Sequence, residues 1–266
     1  MGGEVDVDGL RFDAEVSRQI EAVYRTPDVV EQRRAVRAAL ALRPGDRVLD
    51  VGSGPGLLAA EMAAEVGPDG RICGIDISDS MLAIARTHAD VPDGPAPEFE
   101  LASVERIPHP AESFDVVVST QVFEYVDDVA AALEEVRRVL RPAGRVVLLD
   151  TDWGSVVWRS SDDERMARVL TAFEDHLADP HLPRTLPDVL VKTGFTPTHQ
   201  QVVPILNLGY DQRTYSGGLI DIVSDFVPGH GDVTQDEATA WADDLRGLGA
   251  SYFFSLNRYL FVASAL

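Results

Sequence analysis

The segment 48–57, Val-Leu-Asp-Val-Gly-Ser-Gly-Pro-Gly-Leu, constrains the fold more than any other part of the chain. Its first half is apolar apart from Asp50, which is typical of a buried parallel strand that ends at the edge of a sheet. Glycine follows at positions 52, 54 and 56, where a backbone without Cβ can turn sharply and lie against a ligand. The segment therefore predicts a strand over 47–51 and a nucleotide site at the end of that strand.

The spacing of the glycines selects among nucleotide sites. A dinucleotide fingerprint has the order Gly-x-Gly-x-x-Gly, whose third glycine admits a pyrophosphate to a helix N-terminus. Here Gly56 comes one residue early, and Leu57 stands where that third glycine would be. The spacing weakens the hypothesis of a pyrophosphate site, and a nicotinamide-dependent oxidoreductase stays open only as an alternative.

A carboxylate is expected beside the glycine loop. The strand predicted over 71–76 ends in Asp76, about two dozen residues after Gly52. Because the carboxyl ends of parallel strands meet at one edge of the sheet, Asp76 can accept both hydroxyls of a ribose there.

The rest of the chain alternates between strand and helix patterns, which favours an α/β fold. Asp28 and Thr185 are the predicted N-caps of two of the helices, and Asp127 and Asp128 are predicted to cap a third. Helices are predicted over 14–24, 28–40, 57–66, 80–88, 129–140, 161–178 and 185–193, and strands over 98–101, 113–119, 145–150, 197–207 and 252–263. The last two strands enclose the segment 209–250, which has helical patterns of its own.

The motif Asp-x-Gly-x-Gly-x-Gly at 50–56, with Asp76 and the segment 113–126, resembles the class I S-adenosylmethionine-dependent methyltransferases. Within that family it is similar to the ubiquinone/menaquinone and natural-product methyltransferases. The resemblance implies a Rossmann-like, seven-stranded, mostly parallel sheet with an antiparallel last strand and helices on both faces. It divides the chain into N-terminal cap helices (1–44) and a methyltransferase domain (45–266) with a helical lid insertion at 209–250.

The resemblance implies S-adenosyl-L-methionine as the cofactor. Ser103 departs from the family pattern, which usually has aspartate there to hold the adenine amine, but a serine hydroxyl can also accept that hydrogen bond. Gln32 is a further candidate on the second helix. The resemblance assigns these residues to the cofactor site: Tyr24, Arg33, Asp50, Gly52, Ser53, Gly54, Gly56, Asp76, Ile77, Met81, Ser103, Val104, Thr120 and Gln121.

Methyl transfer from this cofactor is an in-line displacement that needs positioning and exclusion of water, but no metal and no covalent nucleophile. A general base is required only if the acceptor must lose a proton. Asp152 and Trp153 are expected to line the acceptor pocket, while an oxygen, nitrogen or carbon acceptor remains open. The candidate bases are Glu124, Asp152, Tyr24, His176, His181 and His199, and no spacing singles one of them out.

Composition narrows the choice of partners. The net charge of −21 and the absence of a dense basic cluster argue against a nucleic-acid partner. Cys73 is the only cysteine and is expected to be a buried core residue. No apolar run reaches the length of a membrane span, and the N-terminus lacks the basic start of a signal peptide. We therefore expect a cytoplasmic enzyme with a small-molecule substrate, whose oligomeric state the sequence does not indicate.

Two rival functions remain. A nicotinamide oxidoreductase would share the order of strand, glycine loop, helix, strand and aspartate. A non-catalytic protein on the same fold would bind the cofactor without transferring a methyl group. Binding of S-adenosylhomocysteine without binding of NAD(H) separates the first rival from a methyltransferase.

Overall fold

The computed structural model describes residues 6–7, 10–11, 14–92 and 94–266. Residues 1–5, 8–9 and 12–13 of the predicted cap 1–44 therefore lie outside the described residues. Near the N-terminus, β1 (Asp6–Val7) and β2 (Leu10–Arg11) form a short antiparallel pair.

A mostly parallel sheet lies at the centre of the fold. Its first five strands are β3 (Arg47–Val51), β4 (Arg71–Asp76), β5 (Glu98–Leu101), β6 (Phe114–Thr120) and β7 (Leu140–Thr151). The later strands are β8 (Val157–Trp158), β9 (Phe195–Leu208) and β10 (Phe253–Ala265). The spatial order is β5-β4-β3-β6-β7-β10, with β9 paired along β10.

The predicted fold class is confirmed. Strand β10 runs antiparallel to both β7 and β9, so that it is the one reversed strand among the seven principal strands. The two-residue strand β8 also pairs with β10, at Phe254 and Ser255. Strand β8 is not predicted from the sequence, because two residues are too few to show a periodic pattern.

Two layers of helices cover the sheet. The helices are α1 (Ala14–Tyr24), α2 (Pro27–Leu40), α3 (Leu57–Val66), α4 (Asp79–Thr87), α5 (Val129–Val139), α6 (Asp163–Glu174), α7 (Leu186–Lys192), α8 (Tyr215–Phe226) and α9 (Gln235–Gly247). Apolar residues of α2 and α3 pack on one face of the sheet, and those of α5 and α7 pack on the other. A third apolar cluster joins α6, α8 and α9 beyond the carboxyl edge of the sheet. Among the described helices, none has both the length and the apolar character needed to cross a bilayer.

Of the predicted N-caps, Asp28 is wrong, Thr185 is right in position but makes no side-chain cap, and Asp128 is confirmed because its carboxylate accepts from the Ala131 amide (2.9 Å). Helix α2 begins at Pro27, which suits the first helical position because it has no N–H to leave unsatisfied. The Asp28 carboxylate instead accepts hydrogen bonds from Asn207 Nδ2 (3.0 Å) and the Tyr215 amide (2.8 Å). Thr185 stands at the cap position of α7, but its hydroxyl donates to the Leu182 carbonyl (3.3 Å) and does not cap the helix.

Candidate active site

A cavity of about 330 Å³ opens at the carboxyl edge of β3, β4 and β6, beneath α1 and α8. We call the part at the ends of β3, β4, β5 and β6 the loop compartment. We call the part walled by α1, α6, α8 and β10 the aromatic compartment. The loop compartment is lined by Gly52, Gly54, Asp76, Ile77, Met81, Ala102, Ser103, Val104, Glu105 and Thr120. The aromatic compartment is lined by Ile20, Val23, Glu124, Tyr125, Trp153, Phe173, His176, Tyr215, Leu219, Ile222 and Arg258. Tyr24 lies where the two compartments meet, because a Cβ on Gly54 would be 3.7 Å from its Cε2.

The glycine loop needs glycine for steric reasons. Gly52 has φ +66°, and a Cβ built on it would lie 2.1 Å from Val122 Cγ2. Gly54 has φ +51°, and its amide donates to Asp76 Oδ2 (2.8 Å). Because residues with a side chain rarely adopt such φ values, both positions favour glycine. The backbone of the loop therefore forms part of the cavity wall.

Asp76 lies at the end of β4, where the sequence predicts it. Its Oδ1 accepts from the Ser78 amide (2.8 Å), while its Oδ2 accepts from Gly54. Burial raises the pKa of Asp76, and the hydrogen bonds from the amides of Ser78 and Gly54 lower it by less. Each carboxylate oxygen has a further lone pair, so a cavity-lining Asp76 can still accept ligand hydroxyls.

Local caps hold the far end of the loop compartment. The Ser78 hydroxyl accepts from the Met81 amide (3.2 Å), which starts α4 with Ile77 and Met81 at the cavity wall. The Ser103 hydroxyl accepts from the Glu105 amide (3.2 Å) and begins the short 3₁₀ turn Val104–Arg106. Ser103 therefore already has a backbone partner, although it can form further hydrogen bonds.

Gln121 joins the two compartments in an unusual conformation. It has φ +58°, which is uncommon for a residue with a side chain. Its amide donates to the Leu149 carbonyl (2.7 Å), and the Thr151 hydroxyl donates to Gln121 Oε1 (2.6 Å). These contacts to β7 hold Thr120 and Gln121 at the cavity, and such strained residues cluster at functional sites.

Two buried carboxyl groups lie beside the aromatic compartment. Asp150 Oδ1 accepts from the Val122 amide (3.1 Å) and the Glu124 amide (3.4 Å), and the Thr151 amide donates to Glu124 Oε2 (3.2 Å). Burial raises the pKa of Glu124 to about 8, and repulsion from Asp150 adds to the shift. Burial raises the pKa of Asp150 to about 6 against the hydrogen bonds from the Glu124 and Val122 amides. Glu124 is therefore mostly protonated at neutral pH.

His176 lies among aromatic rings in the same compartment. Its ring lies 4.1 Å from that of Phe173 and 5.8 Å from that of Trp153, measured between centroids. Burial lowers the pKa of His176 to about 4, so the ring is neutral. Nδ1 donates to the Phe173 carbonyl, which leaves the lone pair on Nε2.

Arg258 is the functional candidate that the sequence analysis missed. It lies on β10, is 2% exposed and lines the cavity. Nη1 donates to Gln32 Oε1, and the guanidinium carbon lies 4.6 Å from the centroid of the Tyr215 ring. The available signal was a lone charged residue in the apolar pattern 252–263, because a charge in a buried strand requires an explanation.

Arg33, a predicted cofactor contact, is not among the residues that line the cavity. Its guanidinium donates to Glu61 Oε1 (2.9 Å) and to the Tyr24 carbonyl (2.6 Å). It thereby joins α2 to α3 and holds the end of α1. Its effect on the cavity is to position Tyr24, which does line it.

Asp152, a predicted substrate contact and candidate base, is also not among the residues that line the cavity. Arg184 donates to both of its oxygens (2.8 and 2.9 Å), and His181 Nδ1 lies 3.0 Å from Oδ1. Although burial raises the pKa of Asp152, the hydrogen bonds from Arg184 and His181 lower it overall. The residue that faces the cavity from this turn is Trp153.

The remaining predicted residues do not line the cavity. Asp50 is buried in β3 with Oδ2 unpartnered, and burial raises its pKa to about 8. The Ser53 amide donates to the Ile75 carbonyl (2.9 Å). A Cβ on Gly56 would lie 2.8 Å from the Ala85 Cβ, so this glycine permits close packing of the loop against α4. His199 is exposed on β9, away from the cavity lining.

The described residues include no candidate metal site and no activated thiol. No group of three or more His, Cys, Asp or Glu side chains there could hold a metal ion. Cys73 is buried, and burial raises the pKa of its thiol to about 11. Its expected role as a core residue agrees with this burial.

Sequence comparisons connect this geometry with known proteins. The family described as a methyltransferase domain matches residues 49–148. An uncharacterized 37.1 kDa protein in a transposon of Streptomyces fradiae is 32% identical over 248 residues, which are 90% of this chain and 69% of that protein. The ubiquinone/menaquinone biosynthesis C-methyltransferase of Cupriavidus metallidurans is 37% identical over 118 residues, which are 44% of this chain and 47% of that enzyme. The match thus spans less than half the length of this named relative.

A comparison with solved structures supports the fold. A crystal structure of a Bacillus halodurans protein superimposes with a TM-score of 0.64 at 16% sequence identity. It covers 88% of this chain and 98% of that protein. At this identity the likeness concerns the fold alone.

Proposed function

Because the chain belongs to the class I S-adenosylmethionine-dependent methyltransferase family, with S-adenosyl-L-methionine as its cofactor, we propose that it methylates a small, mainly apolar acceptor bound in the aromatic compartment. The observation that carries this proposal is the continuity of the cavity. The glycine loop and Asp76 line one end of it, and aromatic side chains line the other. Donor and acceptor can therefore occupy one continuous cavity.

The loop compartment fits the adenosyl part of the cofactor. We assign the ribose hydroxyls to Asp76, the adenine faces to Ile77 and Met81, and the adenine edge to Ser103 and Val104. The wall here is loop backbone at Gly52 and Gly54, where a side chain would be strained or would collide. Thr120 and Gln121 stand between the compartments, where the sulfonium end would lie.

The bound cofactor supplies a methyl carbon that its sulfonium has already activated, so the chain's task is positioning. Tyr125, Trp153 and Phe173 give the acceptor apolar walls that exclude water and limit its orientations. Aromatic faces near a cation also stabilise it by roughly 0.5–2 kcal/mol. The proposal covers oxygen, nitrogen and carbon acceptors.

Glu124 is the proposed general base for an acceptor that must lose a proton. It lines the cavity, and its pKa of about 8 lies near neutrality, as general acid–base catalysis favours. His176 is the second candidate through Nε2, but its pKa of about 4 makes it a weaker base. Burial raises the pKa of Tyr24 to about 12, so Tyr24 stays protonated and is better suited to hydrogen bonding.

The N-terminal helices and the insertion 209–250 form the proposed cover of the site. Val23 of α1 and Leu219 of α8 both line the cavity, and α1 packs on α8. The same proposal assigns the enzyme to small-molecule biosynthesis in a bacterial cytoplasm, without a nucleic-acid partner. The net charge of −21 and the single buried cysteine support these assignments.

Transfer of a labelled methyl group tests the proposal. The protein is incubated with methyl-labelled S-adenosylmethionine and separate phenols, amines, indoles and quinols, and the labelled atom is identified by mass spectrometry and NMR. We expect label in one acceptor class, and less of it with E124Q if that acceptor is a hydroxyl. Binding of NAD(H) in place of S-adenosylhomocysteine would instead indicate an oxidoreductase. Cofactor binding without any labelled product would favour the non-catalytic alternative.

A further inference from the structure

Arg258 is a buried cation for which the described part of the chain provides no ionic partner. It is 2% exposed, yet no carboxylate in the described part of the chain forms an ion pair with it. Its guanidinium donates to the neutral Gln32 side chain and lies over the face of the Tyr215 ring, and its Nε has no hydrogen-bond partner among the described residues. A charge removed from water is costly unless it is paired, so this arrangement is incomplete without a further negative group.

The neighbouring acids Glu124 and Asp150 do not form an ion pair with Arg258. Burial, with repulsion from Asp150, raises the pKa of Glu124 and so weakens it as an ionic partner, and among the described residues no hydrogen bond joins its carboxyl group to Arg258. Asp150 uses Oδ1 to accept two backbone amides, and it attracts Arg258 only at a distance. The guanidinium therefore faces the cavity with hydrogen-bonding capacity to spare.

The position of Arg258 in the sheet favours the acceptor over the cofactor. Arg258 pairs with Thr151 of β7, so β10 lies two strands beyond β6. At the usual strand spacing, the backbone of Arg258 is therefore about 10 Å from the strand that delivers Thr120, and farther from the backbone of the glycine loop. The Arg258 side chain also contacts Tyr215 of the aromatic compartment.

We infer that Arg258 binds an anionic oxygen of the methyl acceptor, and that the acceptor is an apolar organic acid whose carboxylate pairs with this guanidinium. The inference rests on the proposed function and specifies its substrate class. A planar guanidinium binds a carboxylate through two parallel hydrogen bonds, which orients the ligand as well as attracting it. The aromatic walls would hold the apolar body of the same molecule.

Matched pairs of acids and amides test the inference. Benzoate, phenylacetate and indole-3-acetate are titrated against benzamide, phenylacetamide and indole-3-acetamide by calorimetry, with the protein saturated with S-adenosylhomocysteine. We expect the acid of at least one pair to bind at least tenfold more tightly than its amide. R258Q should reduce that ratio to within twofold and change the Kd for S-adenosylhomocysteine by less than twofold. The matched control R184Q removes an arginine outside the cavity and should keep the ratio.

Each other outcome overturns the inference. An equal affinity for acid and amide in all three pairs, or a preference that survives in R258Q, removes Arg258 from acceptor binding. A tenfold loss of S-adenosylhomocysteine affinity in R258Q assigns the guanidinium to the cofactor's own carboxylate. If R258Q does not fold, R258K is used, and a ratio that does not fall at least threefold contradicts bidentate pairing. Failure of the wild-type protein to bind S-adenosylhomocysteine would instead refute the proposed function.

Discussion

Asp76 links the glycine loop to the start of α4. Its two oxygens accept from Gly54 and Ser78, so the carboxylate both shapes the loop and faces the cavity. A residue with both tasks contributes to ligand affinity directly and through the conformation of the loop. An exposed aspartate a few residues along, Asp79, has neither contact and serves as its control.

We predict that Asp76→Ala raises the Kd for S-adenosylhomocysteine at least tenfold, or about 1.4 kcal/mol, because charged hydrogen bonds to the ribose are lost. Calorimetric titration measures the change, and Asp79→Ala should leave the Kd within twofold. A Kd that Asp76→Ala does not alter would remove Asp76 from the cofactor site.

Asp152 has a structural task in this molecule. Its pairing with Arg184 and His181 ties the 3₁₀ turn Leu182–Arg184 to the end of β7. We predict that Asp152→Ala lowers the free energy of unfolding, because Arg184 and His181 lose the carboxylate that joins them to the end of β7. Urea denaturation measures this loss. The Kd for S-adenosylhomocysteine should stay within twofold, and a selective loss of methyl transfer with unchanged stability would restore Asp152 to the active site.

At the scale of elements, the cover of the cavity depends on how α1 meets α8. The two helices approach closely at Gly218, where an added Cβ would lie 2.7 Å from Val23 Cγ2 and 3.9 Å from Val23 Cβ. The second distance lies within the range for disulfides, whose Cβ atoms are about 3.5–4.5 Å apart. The pair Val23 and Gly218 can therefore be crosslinked without moving the helices.

We predict that the oxidised double variant V23C/G218C binds S-adenosylhomocysteine at least tenfold more slowly than its reduced form, because ligand entry requires α8 to move away from α1. Stopped-flow fluorescence measures the association rate, with V23C and G218C alone as controls. Cys73 is buried, and its raised pKa keeps it from competing for the new thiols. Equal rates in the oxidised and reduced forms would show that 209–250 does not act as a lid.

At the scale of the whole molecule, three buried carboxyl groups couple stability to pH. Burial raises the pKa of Asp50 and of Glu124 to about 8, and that of Asp150 to about 6. In the unfolded chain these groups ionise near pH 4, so the folded protein binds more protons than the unfolded chain between about pH 4 and pH 8. Stability therefore falls as the pH rises through this window.

We predict that the free energy of unfolding decreases from pH 5.5 to pH 8.5, and that Glu124→Gln reduces the decrease by on the order of 1 kcal/mol or more. Asp50 and Asp150 should maintain part of the slope. Urea denaturation at both pH values measures it, and Glu134→Gln, at an exposed position on α5, is the control. A slope that Glu124→Gln leaves intact would show that Glu124 titrates normally.

The sequence by itself determined the framework of this protein. Four elements have the predicted bounds: the strands 47–51, 71–76 and 98–101 and the helix 57–66. Their apolar runs, alternation and glycine spacing determine the conformation of the local backbone. The glycine loop and Asp76 come together for the same reason, since adjacent parallel strands bring their ends to one edge. Caps were predicted less well, because Asp28 found partners 179 and 187 residues away.

Only the tertiary structure decided which polar side chains face the cavity. Arg33 and Asp152 were plausible ligands by position, but pairing with Glu61 and Arg184 directs them elsewhere. Arg258 gave little local signal, yet its contact with Gln32, 226 residues away, places it in the wall of the cavity. Burial and charge pairing depend on contacts between distant segments, so the chemistry of a buried side chain is settled only once those segments have packed.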